Sequence, residues 1–159
     1  MWIVLVGVVL AIVFYFVYLK DYAEVNRVFS SLEKTLDARD LLVMKLVPEI
    51  KDKKMQAKVV KLIEERMNHK NIPYNDKIAL DIALNKELKE FYAAVNEKAD
   101  NPVIKATFAK AVEFEKVLKK IRNEYNLAVT KYNTNLVMHK FVCMRIIRMK
   151  PLDTYAVNT

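Results

Sequence analysis

Side chains that could bind a metal or act as a nucleophile are few in this sequence. Histidine occurs only at His69 and His139, which is too few for most zinc sites, and the Glu-x-x-His pairs of di-iron bundles do not occur. Glu65 and His69 share a helix face four residues apart, a spacing that most often makes a solvent contact. Cys143 is the only cysteine, and no motif of a cysteine–histidine dyad accompanies it. We therefore predict no catalytic residue, no metal site and no cofactor.

Three charged residues occupy positions where a helical core normally has apolar side chains. Arg39 interrupts one apolar series, and Glu115 and Arg122 interrupt another. An unpaired buried charge is costly, so each residue must find a partner or shift toward solvent. Glu115 and Arg122 are about 10.5 Å apart along one helix, too far for a direct bond but near enough for Arg39 of a neighbouring helix to reach between them. We predict a contact between Arg39 and Glu115, or a wider network.

A tyrosine–asparagine pair occurs twice in the same series, at Tyr125 and Asn126 and again at Tyr132 and Asn133. The tyrosines bring apolar rings whose hydroxyl groups need hydrogen-bond partners. The asparagines lie at the edge of the series, where an amide can fix the register between helices. The favoured interpretation is that these residues specify packing, and the alternative is a recognition site on the bundle surface.

The composition favours one all-α domain. The chain has 159 residues, of which 53% are apolar, and only one glycine, four prolines and one cysteine, so β folds, glycine-rich phosphate loops and disulfide frameworks are poorly supplied. The 27 basic residues against 19 acidic ones give a net charge of +8, which would suit nucleic acid, an anionic membrane surface or an acidic partner. Because both signs are interleaved and no known nucleic-acid-binding motif occurs, nucleic acid is not expected as a partner.

The first 19 residues carry no charge and predict a transmembrane anchor. Their helical length of about 28 Å matches the hydrocarbon core of a bilayer. A cleaved signal peptide is the alternative, but no basic residue precedes the segment and the closing FVYLK lacks the small residues of a cleavage site. The predicted division is an anchor at 1–19, a helical bundle at 20–150 and a C-terminal tail at 151–159.

The first bundle helix is predicted to continue from the anchor without a break. No glycine or proline lies between Val8 and Val47, and Pro48 marks a kink or an end. Its apolar positions alternate in steps of four and three, as in a coiled coil. The series is Val25, Phe29, Leu32, Leu36, Arg39, Val43, Leu46 and Ile50.

Three further helices are predicted. The second covers about 53–70, a loop covers 68–76, and the third covers about 77–98 with an apolar face of Leu80, Leu84, Leu88, Phe91 and Val95. The fourth begins near Pro102, where Asn101 can act as the N-cap. Its series is Ile104, Phe108, Ala111, Glu115, Leu118, Arg122, Tyr125, Val129, Tyr132 and Leu136. Short loops make successive helices antiparallel, so the sequence predicts an up-and-down four-helix bundle after the anchor.

The segment from His139 to Lys150 is basic and has no acidic residue. Its four cationic residues are candidates for contacts with the membrane surface: Lys140, Arg145, Arg148 and Lys150. The equally weighted alternative is a last helical turn of the bundle. If the bundle returns this segment to the membrane, the charges favour the cytoplasmic side, with the N-terminus outside.

Two motifs of this sequence resemble those of LemA-family proteins. E-x6-R-x2-YN-x5-YN, from Glu115 to Asn133, is similar to the C-terminal signature of that family. R-x-x-L-x-x-x-LV, from Arg39 to Val47, stands where the family usually has R-x-DLIPNLV. The resemblance spans most of the chain, from the anchor to Tyr155.

The sequence also departs from the family pattern, as a divergent member would. Leu41 stands where the family usually has aspartate, Met44 replaces a proline, and the closing FP and GF elements are absent around 139–149. The resemblance implies a four-helix bundle held at the bacterial cytoplasmic membrane with a short external N-terminus. It implies no established catalytic residue or cofactor.

Together these features predict a membrane-anchored, non-enzymatic scaffold or accessory protein that offers a cytoplasmic surface to an unidentified protein partner. The chain would contact the bilayer through residues 1–19, and a homo-oligomer stays open. The alternative is a membrane-tethered binder of nucleic acid or anionic lipid through the basic C-terminal segment, which salt-sensitive retention would distinguish. An uncharacterised enzyme is a third class, and a cavity with perturbed carboxylates would distinguish it.

Overall fold

The computed structural model of the chain describes residues 2–68, 72–96, 101–138 and 149–155. Helix α1 is Trp2–Leu46 and is followed by a short 3-10 helix, Val47–Glu49. Helices α2, α3 and α4 are Lys53–Asn68, Tyr74–Asn96 and Pro102–Met138. No strand forms within the described residues, so the all-α prediction is confirmed.

The four helices of the described part of the chain form an antiparallel bundle, and the first of them begins with a long apolar segment, as predicted. Tyr18 of α1 contacts Tyr132 of α4, whereas Arg39, farther along α1, contacts Glu115, nearer the start of α4. These two contacts show that α1 and α4 are antiparallel. Helix α1 packs mainly on α4, and α2 packs mainly on α3.

Helix α1 is continuous from the apolar N-terminal segment into the bundle, as predicted. Every member of the predicted series from Val25 to Ile50 is buried, including Arg39. The helix gives way to the 3-10 helix one residue before Pro48. The Gln56 side chain donates hydrogen bonds to the carbonyl oxygens of Val47, at 3.0 Å, and Ile50, at 2.5 Å, so it satisfies acceptors freed at that end.

Two other helix starts follow their capping residues. Asp52 accepts hydrogen bonds from the backbone N–H groups of Lys54, at 2.9 Å, and Met55, at 3.2 Å, at the start of α2. Asn101 accepts one from the backbone N–H of Val103 at 2.9 Å, as predicted for α4. These caps satisfy N–H groups that have no partner inside the helix.

Helix α3 begins three residues earlier than predicted, at Tyr74. Proline disfavours the helical conformation only in the residue before it, so the helix can start directly after Pro73. Its buried positions are Ile78, Asp81, Leu84, Leu88, Phe91 and Val95. Placing Leu80 on this face was wrong, because Asp81 occupies the buried position and Leu80 is only partly buried.

The core consists of two apolar clusters with charged residues between them. One cluster includes Leu32, Leu36 and Leu118, and it lies toward the apolar N-terminal helix. The other includes Val43 and Leu84 and lies toward the far end of the bundle. Arg39 of α1 and Asp81 of α3 fall between the clusters along their helices, so a polar layer crosses the bundle at mid-length.

The apolar part of α1 is exposed before the bundle begins. Large apolar side chains from Leu5 to Leu19 are 40% exposed or more at most positions. Phe14 and Val17 line a cavity of about 10 Å³ together with Tyr132 and Leu136, so the end of α4 reaches back beside this part of α1. The last turns of the exposed apolar stretch therefore lie beside the end of α4.

A buried carboxylate joins α1 to α4 at the same level. Asp21 is 3% exposed. It accepts a hydrogen bond from Asn135 at 2.5 Å and forms an ion pair with Lys131 at 2.9 Å. Tyr22 stacks on Tyr18 beside this contact. At the end of the bundle next to the apolar segment, α1 and α4 are therefore joined by polar contacts as well as by aromatic rings.

Candidate functional site

Arg39 is the centre of the polar layer. Its guanidinium group is fully buried and donates hydrogen bonds to Asp40 at 2.9 Å, Asp81 at 3.1 Å, Asn85 at 2.7 Å and Glu115 at 3.3 Å. The predicted contact between Arg39 and Glu115 is therefore present, within a wider network. Burial alone would lower the pKa of Arg39, but the charges of Asp81, Asp40 and Glu115 together raise it above its ordinary value, so the guanidinium stays charged.

Arg122 enters the same layer from α4. It donates to the Asp81 carboxylate through Nε at 3.2 Å and Nη2 at 3.0 Å, and its Nη2 also donates to Asn85 at 3.1 Å. Its Nη1 lies 3.7 Å from a carboxylate oxygen of Glu115. The two long side chains thus form an ion pair that we predicted to be out of reach, although the separation exceeds that of a hydrogen bond.

A third arginine completes the charge balance. Arg66 of α2 contacts the second oxygen of Asp40 at 2.6 Å and also the more exposed Asp37 at 2.7 Å. Burial lowers the pKa of Arg66, but the Asp40 charge and the hydrogen bonds raise it overall. The layer therefore matches three arginines with three carboxylates: Arg39, Arg66 and Arg122 with Asp40, Asp81 and Glu115.

Sequence reasoning missed four members of this layer: Asp40, Asp81, Asn85 and Arg66. Asp81 had a signal, because it precedes Leu84 and Leu88 with the same steps of three and four. Asp40 had none, since adjacent residues of a helix lie on different faces. An arginine within the apolar series of one helix does not specify which carboxylates of the other helices approach it.

The tyrosine–asparagine pairs hold residues 149–155 against α4. Asn133 donates to the carbonyl oxygen of Leu152 at 2.7 Å and accepts from the Leu152 N–H at 3.0 Å. Asn126 does the same with Tyr155, at 3.0 Å and 2.7 Å. Each asparagine amide thus pairs with both polar groups of one backbone residue.

The tyrosine hydroxyls of the same pairs bind two further backbone carbonyl oxygens of this segment. Tyr132 donates to the carbonyl oxygen of Lys150 at 3.0 Å, and Tyr125 donates to that of Asp153 at 3.4 Å. Both tyrosine rings are buried. The pairs therefore specify packing, as favoured, but the element that they position is the C-terminal segment rather than a neighbouring helix.

Spacing explains why the pair repeats every seven residues. Seven residues of an α-helix advance about 10.5 Å. Three residues of an extended chain advance about 10 Å, and Leu152 and Tyr155 are three residues apart. The helical repeat is therefore in register with an extended segment, and no helix-to-helix contact is needed to account for the motif.

Beside this segment, a cleft of about 510 Å³ opens between α3 and α4. The wall from α3 includes Asn85, Leu88 and Tyr92, and the wall from α4 includes Glu115 and Arg122. Further lining residues are Ile82, Ala83, Lys86, Lys89, Lys119, Asn123 and Tyr155. The cleft therefore has the outer edge of the charge layer as its floor.

Two tyrosines of the cleft are electrostatically perturbed. Burial, followed by the charge of Glu115, raises the pKa of Tyr92, whose buried hydroxyl makes no hydrogen bond with acceptable geometry to any described residue. Burial, followed by the charge of Asp81, raises the pKa of Tyr155. The Tyr155 ring lies 5.6 Å from the Arg122 guanidinium carbon. Both phenols are therefore neutral hydrogen-bond donors at physiological pH.

The basic C-terminal segment lies largely outside the described residues, which exclude 139–148. Of its candidate membrane contacts, Lys140, Arg145 and Arg148 fall in that range, and only Lys150 is described. Lys150 has an exposed side chain, while its carbonyl oxygen accepts the bond from Tyr132. His69, His139 and Cys143 also lie outside the described residues.

Comparison with known protein families, curated proteins and solved structures gives no match. The similarity to LemA-family proteins therefore stays a prediction from the motifs. In the described part of the chain, no group of three or more histidine, cysteine, aspartate or glutamate residues has an arrangement that could hold a metal ion.

Proposed function

We propose that this chain is a membrane-anchored, non-enzymatic helical-bundle protein that presents a cytoplasmic surface to a protein partner, as a scaffold or accessory subunit. The observation that carries the proposal is the continuity of α1, which spans Trp2–Leu46. Its first part is long and apolar enough to cross a bilayer, and its most apolar window is only 6% buried by the rest of the chain. A core helix of a soluble protein would bury that surface.

The same continuity supports a rigid attachment of the bundle. Helix α1 passes from exposed apolar residues to the buried series that begins at Val25 with no intervening break. The bundle is therefore fixed to the anchor rather than linked by a loop. Such an arrangement suits a protein that holds a partner at a defined height above the membrane.

The orientation that we propose has the N-terminus outside and the bundle in the cytoplasm of a bacterial cell. Helix α4 returns to the level of Phe14 and Val17, so the basic segment that follows Met138 begins near the proposed bilayer surface. Basic residues close to a membrane segment favour the cytoplasmic side. The same observation supports the second candidate function, binding of anionic lipid through Lys140, Arg145 and Arg148.

Position-specific photocrosslinking of the full-length protein in its host membrane tests the scaffold proposal. A photoreactive phenylalanine at Lys89 of α3 and one at Lys34 of α1 sample two exposed faces of the bundle. We expect one protein partner to be captured reproducibly from one face and not from the other. Capture of only lipid or the chain itself, from both positions, contradicts the proposal.

Fluorescence quenching in lipid vesicles tests the lipid alternative separately. Lys140, Arg145 and Arg148 are replaced by glutamine, which leaves the packed segment 149–155 intact. The readout is the quenching of a fluorophore attached at Cys143 by labelled phosphatidylserine or phosphatidylcholine in vesicles that contain the anchored protein. The alternative is supported if labelled phosphatidylserine quenches the fluorophore more than labelled phosphatidylcholine does and the glutamine variant loses this difference. Equal quenching by both lipids in the unmodified protein contradicts it.

A further inference from the structure

We infer that the cleft between α3 and α4 binds a small organic anion, in which an aromatic or other apolar body carries one anionic group. A volume of about 510 Å³ lies within the usual range of ligand sites in proteins. The cleft exists because α3 packs mainly on α2 and α4 mainly on α1. The seam between α3 and α4 is bridged by polar contacts such as that of Arg122 with Asp81.

Two hydrogen-bond donors at the cleft lack a well-placed acceptor among the described residues. The Tyr92 hydroxyl is buried and makes no hydrogen bond of acceptable geometry to a described residue, although the Glu115 carboxylate lies close enough to raise its pKa. Arg122 uses Nε and Nη2 for Asp81 and Asn85, but its Nη1 makes only the long ion pair of 3.7 Å. A buried polar group without a partner is costly, and a bound acceptor would remove that cost. The Tyr92 hydroxyl and Arg122 Nη1 are therefore placed to donate hydrogen bonds to a bound anion.

The charge at the cleft rim favours the same ligand. Three exposed lysines line the cleft: Lys86, Lys89 and Lys119. None lies within 4.0 Å of a carboxylate among the described residues, whereas the carboxylates of the floor are already matched by arginines. The rim therefore carries uncompensated positive charge, which attracts anions and discriminates against cations.

The apolar part of the ligand has its own surface. The rings of Tyr92 and Tyr155 and the side chains of Ile82 and Leu88 line the cleft beside the donors. Ligand sites commonly combine such an apolar lining with a few placed polar groups. An inorganic anion would use only the polar half of the cleft.

The position of the cleft indicates that its ligand comes from solution. The floor lies at the level of Arg39, and 20 residues of α1 separate Arg39 from Leu19, which corresponds to about 30 Å along the helix. A lipid headgroup in the bilayer cannot reach so far. The inference does not depend on the scaffold proposal, because it concerns a different kind of ligand and a separate measurement.

Calorimetry with 2-naphthoate tests the inference on the full-length protein in phosphatidylcholine nanodiscs, with empty nanodiscs subtracted. The neutral 2-naphthamide and inorganic phosphate serve as probes that lack the charge and the apolar body, respectively. We expect 2-naphthoate to bind with a Kd below about 1 mM and the other two at least about 10-fold more weakly. Equal binding of naphthamide or phosphate, or no binding of naphthoate, would overturn the inference.

Three variants localise the binding. Tyr92→Phe keeps the ring and removes a hydroxyl that makes no hydrogen bond of acceptable geometry to a described residue, so the variant should fold normally. It should weaken naphthoate binding at least about 10-fold. Lys119→Glu reverses an exposed rim charge and should weaken it by a similar factor. The matched control, Lys34→Glu, makes the same charge change on α1 and should alter Kd less than about 2-fold. An equal effect of Lys34→Glu and Lys119→Glu would assign the binding to net charge and refute the site.

Discussion

At the scale of single residues, the bundle core contains a layer of charge that is neutral as a whole. A lone buried charge would destabilise the fold, but Arg39, Asp81 and Arg122 satisfy one another across three helices. Asn85 accepts hydrogen bonds from both arginines and so links them. The layer therefore favours the helix pairing and register in which these side chains meet.

Removal of Arg39 should be among the most destabilising single changes in the chain. Arg39→Met leaves Asp81 with one arginine instead of two, and Asp40 with only Arg66. We expect the free energy of unfolding to fall by about 3–5 kcal/mol, since a buried pair is broken from one side. Urea unfolding of the full-length protein in detergent micelles, followed by circular dichroism, measures the change.

A double-mutant cycle separates this coupling from general damage to the core. Arg39→Met combined with Asp81→Leu should lose less stability than the sum of the single losses, with a coupling of about 1–3 kcal/mol. The Lys58–Glu87 pair, whose lysine is 59% exposed, is the matched control and should couple by less than about 1 kcal/mol. A coupling for Arg39 and Asp81 no larger than for this surface pair would contradict the network as a stabilising unit.

The buried tyrosines predict a loss of stability at alkaline pH. Burial raises the pKa of Tyr125 above the value of about 10 that the unfolded chain has. Its stabilising contribution is therefore complete below pH 10 and decreases as pH rises above 10 toward the folded-state pKa. Tyr125→Phe should remove about 1.4 kcal/mol of the stability loss between pH 8 and pH 11.

The same urea titrations, repeated at the two pH values, measure this effect. Phenylalanine keeps the ring of Tyr125 against Phe29 and gives up only the long bond to Asp153, so the variant should fold normally at pH 8. Tyr15→Phe alters an exposed ring of the apolar segment and controls for changes in micelle interaction. An unchanged pH dependence in Tyr125→Phe would show that this phenol does not ionise on unfolding.

The sequence identified the three charged residues that interrupt the apolar series, but only some of the side chains that they contact. Arg39, Glu115 and Arg122 could be found because they break a regular apolar series. Asp81 breaks a shorter series that Leu80 also fits in part, so the wrong residue was assigned to the buried face. The separation of Glu115 and Arg122 was misjudged because backbone spacing alone ignores the reach of long side chains.

At the scale of elements, the tyrosine–asparagine motif joins a helix to an extended segment. A helix normally presents side chains to another helix, but Asn126 and Asn133 present amides that reproduce the paired hydrogen bonds of a β-strand neighbour. Met149 and Tyr155 bury their side chains in the apolar cluster at the ends of the segment. The segment is therefore an integral part of the bundle.

Hydrogen exchange should report these amide pairs residue by residue. In the native protein the N–H groups of Leu152 and Tyr155, which are bonded to asparagine side chains, should exchange more slowly than that of Thr154. Asn133→Ala should accelerate exchange at Leu152 by roughly 5- to 150-fold, which corresponds to about 1–3 kcal/mol for the lost partner. Amide-resolved NMR exchange measures both effects.

The neighbouring substitution Thr134→Ala provides the control for that experiment. Thr134 is exposed on the same turn of α4 as Asn133. It should leave the exchange of Leu152 unchanged. Equal acceleration by both substitutions would indicate fraying of α4 rather than loss of a specific amide pair.

Helix identity was more predictable than helix contacts. Periodicity and the scarcity of glycine and proline specified α1, and Asn101 with Pro102 specified the start of α4. The packing of residues 149–155 could not be predicted, because a short segment outside the helices has no periodic signal that marks its docking site. The only available clue was the heptad repeat of the asparagines, and its match to an extended chain becomes evident only when both elements are known.

At the scale of the whole molecule, α1 sets the distance between the proposed bilayer and every other feature. The exposed apolar stretch ends where the Asp21 contacts to Asn135 and Lys131 begin. The charge layer and the cleft lie about 30 Å farther along the helix. In the proposed arrangement a single helix is anchor, stalk and bundle member, so tilting the anchor would reorient the whole bundle.

The proposed orientation predicts which side of the membrane the far end of the bundle occupies. Lys45 is exposed near the end of α1, so Lys45→Cys, in a background with Cys143→Ser, gives one reactive thiol on the bundle. In intact bacterial spheroplasts, a membrane-impermeant maleimide should leave this thiol unlabelled, and permeabilisation should make labelling complete, because basic residues next to the anchor favour cytoplasmic retention. The matched control places the cysteine at Trp2, at the opposite end of α1, where labelling should occur without permeabilisation. The reverse pattern would invert the topology and move the cleft, the charge layer and any partner to the outer side, while full labelling of both thiols would remove the transmembrane assignment of α1.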